Sequence, residues 1–168
     1  YITRKEKAVI RLFGTDPQTN ENIIALDDTF KPYMYVLPYN KEECITQLQS
    51  LNITNIESTT KIDIGQEKEF IKITLTHPQE VPKIRDTIRE LSQVKQIREY
   101  DIPFYRRYLI DKQITPRNII KLEGHTINKE KYADLKLDEE TILFKLEKEP
   151  TDTQKTLNRN KILSFDIE

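Results

Sequence analysis

Between Tyr33 and Tyr100 the apolar residues switch from a period of two to a helical period and back, in an order that restricts the fold more than any other feature of the chain. Pro32-Tyr33-Met34-Tyr35-Val36-Leu37-Pro38 is aromatic or apolar at nearly every position and reads as a strand buried on both faces or nearly so, with prolines marking its ends. Asn40 is a suitable N-cap for a helix over Lys41 to Leu51, where Cys44, Ile45, Leu48 and Leu51 share one face. Asn52 to Asp63 is rich in isoleucine and threonine, and Ile71, Ile73 and Leu75 alternate with Lys72, Thr74 and Thr76, so two strands are expected with a turn at Gly65 between them. Val81, Ile84, Ile88 and Leu91 then recur at helical spacing, and Val94 to Tyr100 returns as a strand. The order β-α-β-β-α-β predicts an α+β chain built on the split βαβ, ferredoxin-like core, which RNA-recognition modules and small-molecule sensor domains share. That pattern specifies a fold and leaves function open.

The flanks add smaller pieces. Ala8 to Gly14 and Asn22 to Asp28 predict an N-terminal hairpin turning at Asp16-Pro17. Pro103 opens a short helix over Phe104 to Lys112 carrying Arg106 and Arg107. Ile119 to Leu122, Leu135 to Leu137 and Ile142 to Leu146 read as strands of a small β subdomain, and 147–160, without apolar periodicity, reads as a surface loop. The expected organisation is a domain over 1–116, a β-rich extension over 117–160 and the first strand of a further domain over 161–168. The chain opens on Tyr1 and stops just after a strand-like run, and both ends read as cut from something longer.

Bulk composition mainly excludes. With 36% hydrophobic and 33% charged residues the chain is polar yet able to bury a core, and its formal net charge of -1 gives no global pull toward nucleic acid or membrane. The single cysteine, Cys44, rules out an internal disulfide and a cysteine-rich zinc site, and suits a reducing cytosol. No apolar run approaches the roughly 20 residues of a membrane helix and no signal segment opens the chain, so a cytoplasmic protein is expected.

Charge is nevertheless concentrated. Residues 81–120 hold nine Lys and Arg against five Asp and Glu, a balance of +4, with Tyr100, Phe104, Tyr105 and Tyr108 interleaved. Cations for phosphates and flat rings for bases are what a groove for single-stranded nucleic acid needs. A solvated helix face over a core of aromatics accounts for the same residues. Asp166-Ile167-Glu168 on a strand sets two carboxylates on one side, a geometry suited to divalent metal, although a two-metal site needs further carboxylates. His77 and His125 have no ligand cluster around them and read as structural polar residues. Three scattered glycines allow no phosphate loop, and a Ser/His/Asp hydrolase has no motif here.

Several stretches, taken in order, resemble archaeal family B DNA polymerases, particularly those of methanogens: Tyr1-Ile2-Thr3, Val9 to Phe13, Thr29-Phe30-Lys31-Pro32-Tyr33, His77 to Arg85, Tyr100 to Phe104, Arg107 to Lys112 and Ser164 to Glu168. The resemblance runs from Tyr1 to about Pro116 and resumes at Lys161. It implies that Phe165-Asp166-Ile167-Glu168 is the first motif of a 3′-5′ exonuclease, with Asp166 and Glu168 binding its catalytic Mg2+ or Mn2+ in a full-length parent. The remaining exonuclease motifs and all polymerase motifs would lie downstream, so no activity and no cofactor are expected of the 168 residues themselves. The resemblance further implies a uracil-sensing pocket that grips a deaminated base in single-stranded template DNA ahead of synthesis. Its matching positions are Tyr1, Pro32, Tyr33, Pro78, Val81, Ile102, Pro103, Phe104 and Arg107, with Arg85 as a supporting candidate.

The chemistry of such a pocket is reasonable. A base leaves the stack, apolar walls from Val81, Pro78 and Phe104 pack its face, and a tight wall excludes the C5-methyl of thymine. Backbone groups near Tyr33 and Ile102 would read the uracil edge, and Arg107 would order the pocket or meet phosphate. Cytosine, with a donor where uracil has an acceptor, would leave a buried group unpaired at a cost of about 1–3 kcal/mol. The partners implied are single-stranded template DNA, uracil-containing DNA, the remaining polymerase and exonuclease domains and a sliding clamp. From the residues alone, a ligand-sensing or protein-interaction module that binds no nucleic acid is the alternative.

Overall fold

The structure is a computed structural model that describes residues 1–4, 7–130, 132, 137–138 and 140–156. It separates into two compact units, one of residues 1–11 and 27–106 and one of residues 12–26 and 107–168.

The first unit contains the expected core. β1 (Ile2–Arg4) pairs antiparallel with the start of β2 (Lys7–Thr15), Ile2 opposite Val9. The elements β4 (Tyr33–Pro38), α1 (Lys41–Gln49), β5 (Asn55–Asp63), β6 (Gln66–Thr74), α2 (Val81–Arg89) and β7 (Val94–Arg98) follow in the β-α-β-β-α-β order. The sheet order is β5-β6-β4-β7 with every pairing antiparallel, the ferredoxin-like arrangement. Asn40 caps α1 as its side chain predicts: Oδ1 accepts from the backbone N–H groups of Glu42 at 3.1 Å and Glu43 at 3.2 Å. Pro82 occupies the first turn of α2, where a missing N–H removes no helical bond.

Alternation decides which face of the sheet is filled. Met34 and Val36 of β4, Ile71 and Ile73 of β6, Cys44 and Leu48 of α1, Ile88 of α2 and Leu75 form one fully buried cluster. Half-buried Ile45, Ile56, Val81, Ile84 and Ile97 pack around it. The opposite face carries Tyr33, Tyr35, Phe70 and Lys72 in register, Tyr35 lying opposite both Lys72 and Arg98. Strand β4 is thus lined on both sides, as its sequence predicts, but with aliphatic residues on one face and rings on the other.

The β5–β6 hairpin is longer than its sequence suggests, pairing in unbroken register from Asn55↔Thr74 to Asp63↔Gln66. Its two-residue loop has Ile64 at φ 51° and Gly65 at φ 74°, so both central residues are left-handed, as a type I′ turn requires. Gly65 adopts this without penalty. Ile64, branched at Cβ, does not.

In the second unit the far end of β2 turns back into β3 (Asn22–Asp27), with Asp16 Oδ1 accepting from Gln18 N at 2.7 Å. β3 runs parallel to β10 (Ile142–Leu146), which pairs antiparallel with β9 (Gly124–Thr126). A short helix, α3 (Phe104–Asp111), begins in the first unit and continues into the second, burying Tyr108 completely. It ends on Gln113 at φ 52°, with Ile114 N donating to Leu109 O at 2.8 Å, the arrangement in which a left-handed residue closes a helix.

One expectation is corrected here. The segment read as a surface loop contains β11 (Thr151–Thr156), which pairs antiparallel with β8 (Asn118–Lys121). β11 has no apolar alternation to betray it, because its two-stranded sheet is exposed on this side and hydrogen bonds hold it instead. Asp152 accepts from Thr115 N at 2.8 Å, Asn118 Nδ2 at 3.0 Å and Gln154 N at 2.6 Å, which keeps its carboxyl below the usual aspartate range. Of the strand expected at Leu135 to Leu137, Leu137 is not in a strand and the rest lies outside the described residues.

Candidate nucleic-acid interface

The first unit contains a continuous run of six aromatic rings contributed by five separate pieces of chain. Tyr1 meets Phe104 edge-on at 5.2 Å between centroids, Phe104 meets Phe30 at 5.3 Å, and Phe30 meets Tyr33 at 6.5 Å. Tyr33 meets Tyr35 at 5.5 Å, and Tyr35 meets Phe70 at 6.3 Å. All are within the range of attractive ring pairs, and most are edge-to-face. The run begins at an exposed ring, Tyr1 at 43% exposure, and ends at a buried one, Phe70 at 2%.

The inner end of the run is already occupied. Lys61 Nζ lies 3.6 Å from the centre of the Tyr35 ring and is also paired with Glu99. Lys72 Nζ lies 4.5 Å from the centre of Tyr33 and 4.0 Å from Glu57. Asp63 at the hairpin end bonds Lys68 at 2.7 Å and meets Arg98 of β7 at 3.3 Å. β5 and β7 are opposite edges of this sheet, so the Lys61–Glu99 and Asp63–Arg98 pairs show the hairpin curling across the ring-bearing face and clasping the far edge. The Asp63 carboxyl is held below its ordinary value, chiefly by the hydrogen bond from Lys68 of the same hairpin and further by Arg98 across the clasp. In an open four-stranded recognition sheet the strand-borne rings are free to stack bases. Here they carry lysines.

The outer end of the run includes three of the nine positions singled out in the sequence. Tyr1, Tyr33 and Phe104 are joined through Phe30, which sequence reasoning did not select although it stands two residues before Pro32-Tyr33. Pro32 is buried, and its carbonyl accepts from Leu75 N at 2.9 Å, tying this loop to the end of β6 just before His77-Pro78. Pro78 begins a single 3-10 turn, Pro78–Glu80, and His77 N donates to Glu80 Oε2 at 2.9 Å. Val81, the first residue of α2, is half-buried against the core. Ile102 is half-buried and Pro103 exposed in the turn before α3. Arg107, in the second unit, is 7% exposed and lies 3.9 Å from Asp111 one helical turn on.

The basic stretch divides in two. Arg85 is bidentate to Asp86 at 2.8 and 3.0 Å, and both Arg85 and Arg89 stack on Tyr100, 5.3 and 5.2 Å from its centre, with Arg89 donating to the Tyr100 hydroxyl. Arg98 pairs with Asp63, and Lys112 with Glu149. Lys83, Lys95, Arg106 and Arg117 are exposed. Of the interleaved rings, Phe104 and Tyr108 are buried while Tyr105 is 51% exposed. Burial of Phe104 and Tyr108 fits the alternative of a solvated helix face over a core of aromatics. Among the described residues no group of three or more His, Cys, Asp or Glu could hold a metal ion, and no helix is long and apolar enough to cross a membrane. Asp166 and Glu168 lie outside the described residues. His125 bonds Glu147 at 2.7 Å on the surface of the second unit.

Comparison with known proteins gives this geometry a context. The exonuclease domain of DNA polymerase family B matches residues 95–168. DNA polymerase 1 of Pyrococcus abyssi is 38% identical over 151 residues, covering 84% of this chain and 18% of the polymerase. The DNA polymerase of Methanocaldococcus jannaschii is 37% identical over 174 aligned residues, covering 97% of this chain and 10% of the relative. The chain therefore spans less than a fifth of the length of these relatives. The family B DNA polymerase of Pyrobaculum calidifontis superposes with a TM-score of 0.77 over 93% of this chain and 20% of its own, at 21% identity. The chain belongs to the family B DNA polymerases and corresponds to their amino-terminal region.

Proposed function

We propose that this region binds single-stranded template DNA for a DNA-directed DNA polymerase and recognises uracil in it ahead of synthesis. The observation that carries the reading is the aromatic run, whose exposed end brings Tyr1, Tyr33 and Phe104 together through Phe30. An extruded base needs a face to pack on and a rigid wall behind it. The buried Phe104 and the backbone bond fixing Pro32 are suited to supply that wall. The clasped inner rings argue against the sheet face as the place where bases stack, which leaves the outer end and its loops. Exposed Lys83, Lys95 and Arg106 in the same unit offer phosphate partners, so binding should weaken with salt. Polymerisation and metal-dependent exonuclease chemistry belong, on this reading, to the whole enzyme, with Asp166 and Glu168 as metal ligands there and a sliding clamp among its partners.

Fluorescence anisotropy with matched single-stranded oligonucleotides bearing one uracil or one thymine tests the proposal. Tighter binding of the uracil strand is expected, and equal affinities would sink it. Val81→Gln, which puts a longer polar side chain at the start of α2, should remove the preference while leaving weak, salt-sensitive binding.

A further inference from the structure

The β5–β6 hairpin presents two isoleucines to solvent at its tip, Ile62 at 78% exposure and Ile64 at 84%. A single exposed isoleucine needs no explanation. These two are unusual for three reasons that bear on one another.

Ile64 occupies a left-handed turn position, φ 51°, where asparagine or glycine would avoid the steric cost a β-branched residue incurs. The turn itself gains nothing from an isoleucine. Alternation along β5 then sorts the tip into two faces. Lys61 and Asp63 point inward to Glu99, Lys68 and Arg98, so the isoleucines are held outward on a hairpin clasped close to its tip. A rigid apolar knob loses little entropy when it seats in a socket. Finally, the curated relatives are more than five times as long as the part this chain covers, so most of such an enzyme lies elsewhere.

We propose that Ile62 and Ile64 form a docking knob that seats in an apolar socket on a part of the same polymerase chain beyond residue 168. The inference rests on reading this chain as one region of a full-length polymerase, and not on uracil recognition. Charge disfavours DNA as the occupant, because the hairpin from 57 to 69 carries Glu57, Asp63, Glu67 and Glu69 against Lys61 and Lys68. Size disfavours a second copy, because stable association of separate molecules buries about 800 Å² per partner, far more than two side chains supply. Within one chain the effective concentration is high, and a small knob is enough.

The test uses the full-length polymerase without DNA, with Ile64→Cys compared against Tyr39→Cys, a position 69% exposed in this region. Maleimide labelling at Ile64→Cys is expected to be at least about tenfold slower than at Tyr39→Cys, the ratio for a site open one-tenth of the time, at every protein concentration. Equal rates overturn the proposal, as does protection that appears only on concentrating the enzyme or adding DNA. A second measurement guards against a local folding defect. Ile64→Asn relieves the turn, so a local effect would raise or leave unchanged the melting temperature of the full-length enzyme. Docking predicts a lower one, and an unchanged or higher value overturns the proposal. Neither readout involves uracil, so the knob and the uracil pocket stand or fall separately.

Discussion

The ammonium of Lys61 sits 3.6 Å from the centre of the Tyr35 ring while pairing with Glu99 at the end of the far edge strand. One side chain thus covers an aromatic ring and closes the hairpin over the sheet. A cation over a ring contributes about 0.5–2 kcal/mol, more as water is excluded. Lys61→Met keeps the apolar stem and removes both interactions. We expect it to lower stability by about 1 kcal/mol, and denaturant unfolding of the variant against the parent measures this. No change would mean the clasp is only a surface contact.

The outer ring run makes a separate prediction. Phe30→Leu conserves apolar bulk but removes the ring that links Phe104 to Tyr33. With ring pairs worth about 0.5–1.5 kcal/mol, uracil preference should fall by about threefold to tenfold. Binding of the thymine strand should hardly change. Anisotropy titrations of both strands separate this outcome from a general loss of folding.

Gly124 has no room for a side chain. A Cβ there would lie 2.0 Å from the Lys145 carbonyl oxygen and 2.9 Å from the Phe144 ring, across the β9–β10 pairing. Gly124→Ala must therefore shift backbone, at a cost of about 1–3 kcal/mol. A drop in thermal midpoint on that scale is expected. At the end of α3 the opposite substitution should help: Gln113→Gly removes the left-handed penalty at φ 52° and should stabilise by up to about 1 kcal/mol.

Acid should loosen the second unit through Glu123. Hydrogen bonds from Lys148 and Lys121 hold its carboxyl at about 2, below the ordinary 4.5. A depressed folded-state value means the stabilising contribution is complete above about pH 4.5, where the unfolded carboxylate is also ionised, and is lost as pH falls toward 2. Asp152 shifts the same way, so its contribution is also lost in acid. NMR titration of the Glu123 side chain checks the value, and Glu123→Gln should flatten that part of the pH–stability curve.

The local and periodic part of the protein is legible in the order of its residues. Alternation at Ile71 to Thr76, helical spacing at Val81 to Leu91 and the Asn40 cap each depend on neighbours within a few residues, and together they dictated the ferredoxin-like order and the buried face. The resemblance of Pro32-Tyr33, Pro78 to Val81 and Ile102 to Phe104 to polymerase segments carried the candidate site, because those motifs are contiguous. β11 escaped because its support comes from Asp152 bonding residues more than 30 positions away, and hydrogen bonds of that range leave no period in the chain. That Tyr1, Phe104, Phe30 and Tyr33 meet in one run, that Lys61 and Asp63 fold the hairpin over Tyr35, and that Ile62 and Ile64 are thereby turned outward all follow from three-dimensional packing. Ring contacts and ion pairs between strands depend on register and sheet twist, which follow from how the whole core packs and from no local stretch of residues.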